Sequence, residues 1–117
     1  MSQTNNIKYI PSYEGLYGVT PNGEVFSFIR NKFLKQFYNQ FGRPKVDLRK
    51  EGKTKQFYVH RLVYETWVGA VPKGLDVDHI DGDKTNSKLS NLRLLTRSEN
   101  MLEFYNIHGT INLQRSV

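Results

Sequence analysis

Residues 76–100 read DVDHIDGDKTNSKLSNLRLLTRSEN, and this stretch decides the fold of the chain. A short strand is expected around Asp76 to His79, and a second short strand near Leu92 to Leu95. The polar segment between them, rich in Asp, Gly, Asn and Ser, favours turns over either regular structure. Thr-Arg-Ser-Glu then reads as a capping box, with Thr96 as cap and Glu99 three positions on, so a helix is expected from Thr96. The order is strand, loop, strand, helix.

That order gathers groups suited to hydrolysing a phosphodiester, which needs an activated water and charge neutralisation on the phosphate. His79, with an ordinary pKa of ~6.5, can take a proton from water near neutral pH. Asp78 offers a hard oxygen to one divalent metal ion, and the side-chain oxygen of Asn100 offers a second. Mg²⁺ or Mn²⁺ suits such a sparse set, because water and phosphate complete the shell. Neighbouring residues of a strand point to opposite faces, so a bulge or strand end is expected where Asp78 meets His79. Asp78, Asp81 and Asp83 do not form a calcium loop, because Gly82 and the lack of a terminal Glu break that pattern. Asp81, Gly82, Asp83 and Asn86 read instead as turn formers.

Upstream, His60 to Val68 (HRLVYETWV) sets Leu62, Val63, Thr66 and Trp67 on one helical face, and Gly69 and Pro72 end the segment. His60 has two readings, a structural histidine at the helix start or a group touching the scissile phosphate. Arg61 either clamps a phosphate or sits in solvent.

Further upstream, YEGLYGVTPNGEVFSF (residues 13–28) reads as a β-hairpin around Pro21-Asn22-Gly23, where Pro fixes φ and Asn-Gly accepts positive φ. Strands are expected at 32–37, 43–48 and 56–59, which makes the amino-terminal half an antiparallel sheet with one basic face. Phe37 and Tyr38 belong either to its core or to a stacking surface. From Arg30 to Lys55 there are nine basic residues against two acidic ones, so this stretch outweighs the whole formal net charge of +6. A concentrated positive surface draws a polyanion, and nucleic acid, with double-stranded DNA among its forms, is the commonest one inside cells. Arg30, Lys32, Lys35, Arg43, Lys45, Arg49 and Arg61 are the candidate DNA contacts.

The 117 residues suit one compact unit, and the 38 % hydrophobic share supports a folded core. There is no cysteine, which excludes disulfides, thiolate metal sites and cysteine nucleophiles. No apolar run approaches the ~20 residues that span a bilayer, and the amino terminus lacks signal-peptide features. A soluble intracellular protein without membrane attachment is expected.

The quoted motifs resemble the HNH nucleases of the ββα-metal fold, in their phage and intron-encoded homing endonuclease branch. The likeness lies in His60–Val63, in Asp78-His-Ile-Asp-Gly-Asp-Lys-Thr-Asn86, in Asn91-Leu92 and in Ser98-Glu-Asn100. Residues 13–28 are also similar to a short module found ahead of such nucleases. The resemblance covers about residues 11–103. It implies His79 as general base, Asp78 with Asn100 as metal ligands, and Asn91 as the middle asparagine that braces the loop and orients the histidine. It also implies work in the cytoplasm of a bacterial host, on behalf of a phage. Only 14 residues follow Glu103, too few for a helix-turn-helix, so a short footprint or a homodimer is expected.

The fold expected is therefore α+β, an amino-terminal antiparallel sheet followed by a ββα-metal motif. Residues 1–59 form the basic region, 60–105 the nuclease region and 106–117 a tail. The function expected is metal-dependent DNA cleavage, by a monomer that nicks or a homodimer that cuts both strands. Two rivals stand beside it, a non-catalytic DNA-binding protein and a ribonuclease or RNA-binding protein.

Overall fold

A hairpin tightened by one threonine opens the described part of the chain, which is residues 6–96 of the computed structural model. Thr20 accepts at Oγ1 from the N–H groups of Asn22 and Glu24 (3.2 and 3.1 Å), and Gly23 turns the chain at φ 90°. This turn joins β2 (Tyr17–Val19) to β3 (Val25–Ser27), as the Pro-Asn-Gly reading expected. Flanked by β1 (Lys8–Tyr9) and β4 (Lys32–Phe33), they make a four-stranded antiparallel sheet in the order β1-β2-β3-β4.

The amino-terminal half is not one sheet but two. The run expected at 32–37 breaks because Leu34 turns toward the core, its N–H bonding Val25 O (2.8 Å), while Gln36 Nε2 donates to Gly23 O (2.7 Å). The chain re-emerges as β5 (Phe37–Tyr38), which pairs with β6 (Pro44–Lys50) and, through it, with β7 (Lys53–Tyr58). Val46 and Leu48 face inward along β6, whereas Lys45, Asp47 and Arg49 face out. Phe37 pairs with Lys45 and stands on the same open face.

The strand β7 runs directly into helix α1 (Val59–Trp67), so Val59, expected at a strand end, is instead the first helical residue. Val59, Leu62 and Val63 are buried, and Thr66 and Trp67 are half-buried. Trp67 Nε1 donates to Val19 O (3.0 Å), which ties the helix to the first sheet. The chain then forms β8 (Leu75–His79), a 3₁₀ turn (Leu89–Asn91) and β9 (Leu92–Thr96), paired antiparallel from Leu75↔Thr96 to His79↔Leu92.

One apolar cluster joins Ile10, Val19 and Val25 of the first unit to Val46 and Leu48 of the second. It continues into Val59, Leu62 and Val63 of the helix and into Val77 and Leu92 of the last hairpin. Each such side chain withdrawn from water contributes about 1.5–3 kcal/mol relative to exposure. The architecture is α+β. Among the described residues no helix is long and apolar enough to cross a membrane. Asn100, the helix expected beyond Thr96 and the 106–117 tail lie outside the described residues; Thr96 itself ends β9.

Candidate active site

Two histidines distant in sequence meet between α1 and β8. His60 is the second residue of the helix and His79 the last of its strand, and both are buried (7 % and 5 % exposed). Their ring centroids lie 4.7 Å apart at an interplanar angle of 43°. The Tyr58 ring flanks His60 at 5.7 Å.

Burial controls the protonation of both rings. It pushes His60 down to about 3, with the positive fields of His79, Arg43 and Arg61 adding to the effect. His79 is lowered by burial first and by Arg43 next, with Lys84 adding a little; Asp78 and Asp81 pull the other way. Both imidazoles are therefore neutral near pH 7, the state in which a histidine accepts a proton. Three polar atoms here are buried with no hydrogen-bond partner: His60 Nδ1, His79 Nε2 and Arg43 Nε.

Asp78 does not share a face with His79. The register of β8 with β9 is regular through His79, so of the two features expected there the strand end is present, with His79 as its last residue, and the bulge is not. His79 points to His60, whereas Asp78 lies on the opposite face and accepts from Arg93 Nε at Oδ2 (3.0 Å). The pairing follows from register, because Arg93 sits directly across from Asp78.

The loop after His79 is held by Asn91. Its backbone O accepts from Ile80 N (2.7 Å), and its side-chain Oδ1 accepts from Asp81 N (3.1 Å). Its Nδ2 donates to Asp81 Oδ1 and to Asn86 O, both at 3.0 Å. Asn86 Nδ2 donates to the other Asp81 oxygen (3.1 Å). These donors, led by the Asp83 backbone N–H, hold the Asp81 carboxyl below its ordinary range. Gly82 closes the turn at φ 77°, its N–H bonding His79 O (2.9 Å). Asn91 is buried and fastens both ends of the loop.

The amino-terminal units reach this loop at two places. Leu89 N donates to Pro21 O (2.7 Å), and a Cβ on Gly23 would stand 3.1 Å from Ser87 Cβ. The turn before β6 approaches as well, since a Cβ on Gly42 would lie 3.8 Å from Thr85 Cγ2.

The basic candidates fall into three places. Arg30, Lys32 and Lys35 are exposed around β4, and Lys45 and Arg49 stand on the open face of the β5-β6-β7 sheet. Arg43 is half-buried and acts on both histidines. Arg61 is paired along α1 with Glu65 (3.1 Å), with its side chain partly exposed. Reading the sequence alone missed Arg93, Lys84 and the anchoring role of Asp81. Arg93 becomes visible only when strand register is known, whereas Lys84 lies within the Asp-Gly-Asp-Lys-Thr-Asn run already singled out.

No cluster of three His, Asp or Glu metal ligands occurs among the described residues. The donor chemistry still fits one hard divalent ion, because Mg²⁺ takes one or two protein oxygens and fills its shell with water and phosphate. Asp78 is one of the described residues that carry such an oxygen.

Comparison with known proteins agrees with this arrangement. A family model described as HNH endonuclease matches residues 57–102, and the NUMOD4 motif matches residues 8–49. DNA endonuclease I-HmuI of Bacillus phage SP01 is 40 % identical over 109 residues, which is 93 % of this chain and 62 % of the relative. H-N-H endonuclease F-TflII of Escherichia phage T5 is 33 % identical over 100 residues, 84 % of this chain and 51 % of the relative. The chain thus spans between half and two thirds of the length of these relatives. A solved structure described as "DNA binding and cleavage by the HNH homing endonuclease I-HmuI" superposes with a TM-score of 0.82 at 40 % identity, covering 95 % of this chain and 63 % of that one. Residues 57–102 thus carry an HNH endonuclease region with a NUMOD4 motif ahead of it, and the chain is similar in sequence and in fold to phage HNH endonucleases.

Proposed function

We propose that this chain is a metal-dependent DNA endonuclease that hydrolyses phosphodiester bonds in double-stranded DNA, in the manner of the phage homing endonucleases it resembles. The observation that carries the reading is His79, a neutral imidazole at a strand end, next in sequence to Asp78 and followed by a loop fastened by Asn91. His79 is the general base that takes the proton of the attacking water, and its buried Nε2 leaves Nδ1 as the atom for that task. Asp78, with Asn100 as second oxygen donor, holds one Mg²⁺ or Mn²⁺. That ion, when bound, neutralises phosphate charge and helps the 3′ oxygen depart. The Asp78–Arg93 pair holds the carboxylate in one orientation. Asn91 is a positioning residue that fixes the backbone on which His79 sits.

Lys45 and Arg49, on the open face of β5-β6-β7, hold the duplex through its phosphates, with Arg30, Lys32 and Lys35 extending the track. A monomer with one such site nicks one strand, and a homodimer cuts both. The place of action is the cytoplasm of a bacterial host, a reading supported by the phage origin of the similar proteins.

The test incubates supercoiled plasmid with purified protein and Mg²⁺ or Mn²⁺, beside EDTA and His79→Ala controls. Metal-dependent conversion to open-circle or linear DNA that His79→Ala abolishes is the expected result, and the ratio of the two products reports nicking against double cutting. Salt-sensitive binding with no cleavage of any DNA offered would sink the enzyme reading in favour of a binding protein. Cleavage of RNA in preference to duplex DNA would transfer the activity to a ribonuclease.

A further inference from the structure

Among the basic residues of the amino-terminal sheets, Arg43 is set apart by its surroundings. The others are exposed or stand on the open sheet face, whereas Arg43 has its Nε buried without a hydrogen-bond partner. No carboxylate among the described residues lies within ion-pair distance of its guanidinium. A buried, unpaired guanidinium N–H costs stability, so its retention points to a partner supplied from outside the chain.

Its placement is fixed by a short chain of contacts. Asn39 Oδ1 accepts from the N–H groups of Phe41 and Arg43 (both 2.9 Å), which locks the turn before β6. Asn39 Nδ2 donates to Tyr58 Oη (3.2 Å), and the Tyr58 ring lies against His60. The same turn approaches Thr85 in the loop that follows His79. Arg43 is thus held at the junction of the β5-β6 hairpin, the start of α1 and the end of β8. Two further atoms at this junction, His60 Nδ1 and His79 Nε2, are buried and unpartnered too. Three unsatisfied nitrogens at one spot, one of them on a permanent cation, suit a tetrahedral anion with several acceptor oxygens.

We propose that Arg43, carried into the site by the NUMOD4 half of the chain, grips the scissile phosphodiester beside His79. Its planar fork bonds two phosphate oxygens and so sets the phosphorus within reach of the water that His79 activates. Arg43 also lowers the pKa of both imidazoles, after burial and His79 at His60 and after burial at His79, which agrees with this placement. Arg43 then belongs to the cutting centre and not to the sequence-independent track of Lys45 and Arg49. The inference rests on the endonuclease reading but can be separated from it.

The separating experiment uses the full chain in EDTA and follows the ring signals of His60 and His79 by NMR, while sodium phosphate is titrated against sodium chloride of equal ionic strength. The expected result is a saturable shift in the wild type that is lost in Arg43→Met, reduced in Arg43→Lys and kept in Lys73→Gln, which removes an exposed charge elsewhere. Dispersed spectra of Arg43→Met show that it remains folded. In parallel, Arg43→Met is expected to slow plasmid nicking by about 100-fold, as for loss of one preorganised charge-stabilising donor, while its affinity for a 30-base-pair duplex in EDTA falls less than about threefold. No phosphate-dependent shift in the wild type, or the same shift in Arg43→Met, overturns the proposal. Equal loss of nicking and of duplex affinity also overturns it, by returning Arg43 to the general track. A phosphate shift that needs Arg43 in a protein that never cuts DNA upholds this site and sinks the endonuclease reading alone.

Discussion

His60 and His79 face one another with ring centroids 4.7 Å apart, one at the start of a helix and the other at the end of a strand. Two imidazoles this close, both withdrawn from water, cannot readily be charged together. The contact therefore links stability to pH through His60, while burial and then Arg43 keep His79 in the proton-accepting form.

The sign of that link follows from His60. Its folded value, about 3, lies below the ordinary 6.5, so its contribution is fully present above pH 6.5 and is lost as pH falls. Between pH 7 and 5 the unfolded chain takes up a proton that the folded chain refuses, at a cost of ~2 kcal/mol. Urea denaturation at the two pH values should show this drop, and His60→Gln should reduce it. The remainder belongs to His79, which is shifted the same way. Asp81 and Asp83 act only at more acid pH, since their values are lowered from 3.8. An unchanged drop in His60→Gln would refute the assignment.

Asn91 supplies both donors and acceptors to the loop, so its replacement by Asp should be no milder than its replacement by Ala. Asn91→Ala leaves Asp81 and Asn86 short of bonds, for a loss of about 2 kcal/mol. Asn91→Asp also loses the donor and sets a carboxylate against that of Asp81. Urea midpoints decide the order, and nicking rates should follow it. An Asn91→Asp variant as stable as wild type would mean that the amide donor is dispensable.

Gly23 and Gly52 give a matched pair. Both have positive φ (90° and 78°), but a Cβ on Gly23 meets Ser87 Cβ at 3.1 Å, whereas none of the surroundings of Gly52 lies within 4 Å. Gly23→Ala should therefore cost more than Gly52→Ala, by about 1 kcal/mol, because crowding adds to the backbone strain. It should also slow nicking, since Ser87 lies in the loop that follows His79. Equal costs by thermal melting would show that the hairpin turn gives way without disturbing the loop.

The open sheet face can be read from salt dependence. Lys45→Gln and Arg49→Gln should each lower the slope of log affinity against log salt by ~1 for a generic duplex. Lys50→Gln should leave the slope unchanged, because its Nζ already donates to Ser12 O (2.6 Å) beside the Tyr13 ring. Slopes measured by fluorescence anisotropy in EDTA check all three. A larger effect at Lys50 than at Lys45 would place the duplex on a different surface.

Local chemistry made much of this legible beforehand. The Thr20–Glu24 turn, helix α1 and the β8-loop-β9 order follow from turn residues and from periodicity over several residues. The split of the amino-terminal half into two sheets does not, because strands of two residues such as β4 and β5 carry no period. Asp78 and His79 were suspected from residue type, but their separation onto opposite faces depends on the register of β8 with β9. The nearness of Arg43 to the histidines was hidden for another reason. A run of positive charge shows that a surface is basic, not which of its members turns inward.

The hydrogen bond from Leu89 to Pro21, together with the seat of Gly23 on Ser87, has a consequence for how such enzymes diversify. A NUMOD4 segment taken from one lineage and spliced onto the HNH segment of another meets it at this contact. The backbone bond survives most exchanges, but a side chain at position 23 would crowd residue 87, so a chimera should keep Gly23 opposite a small residue.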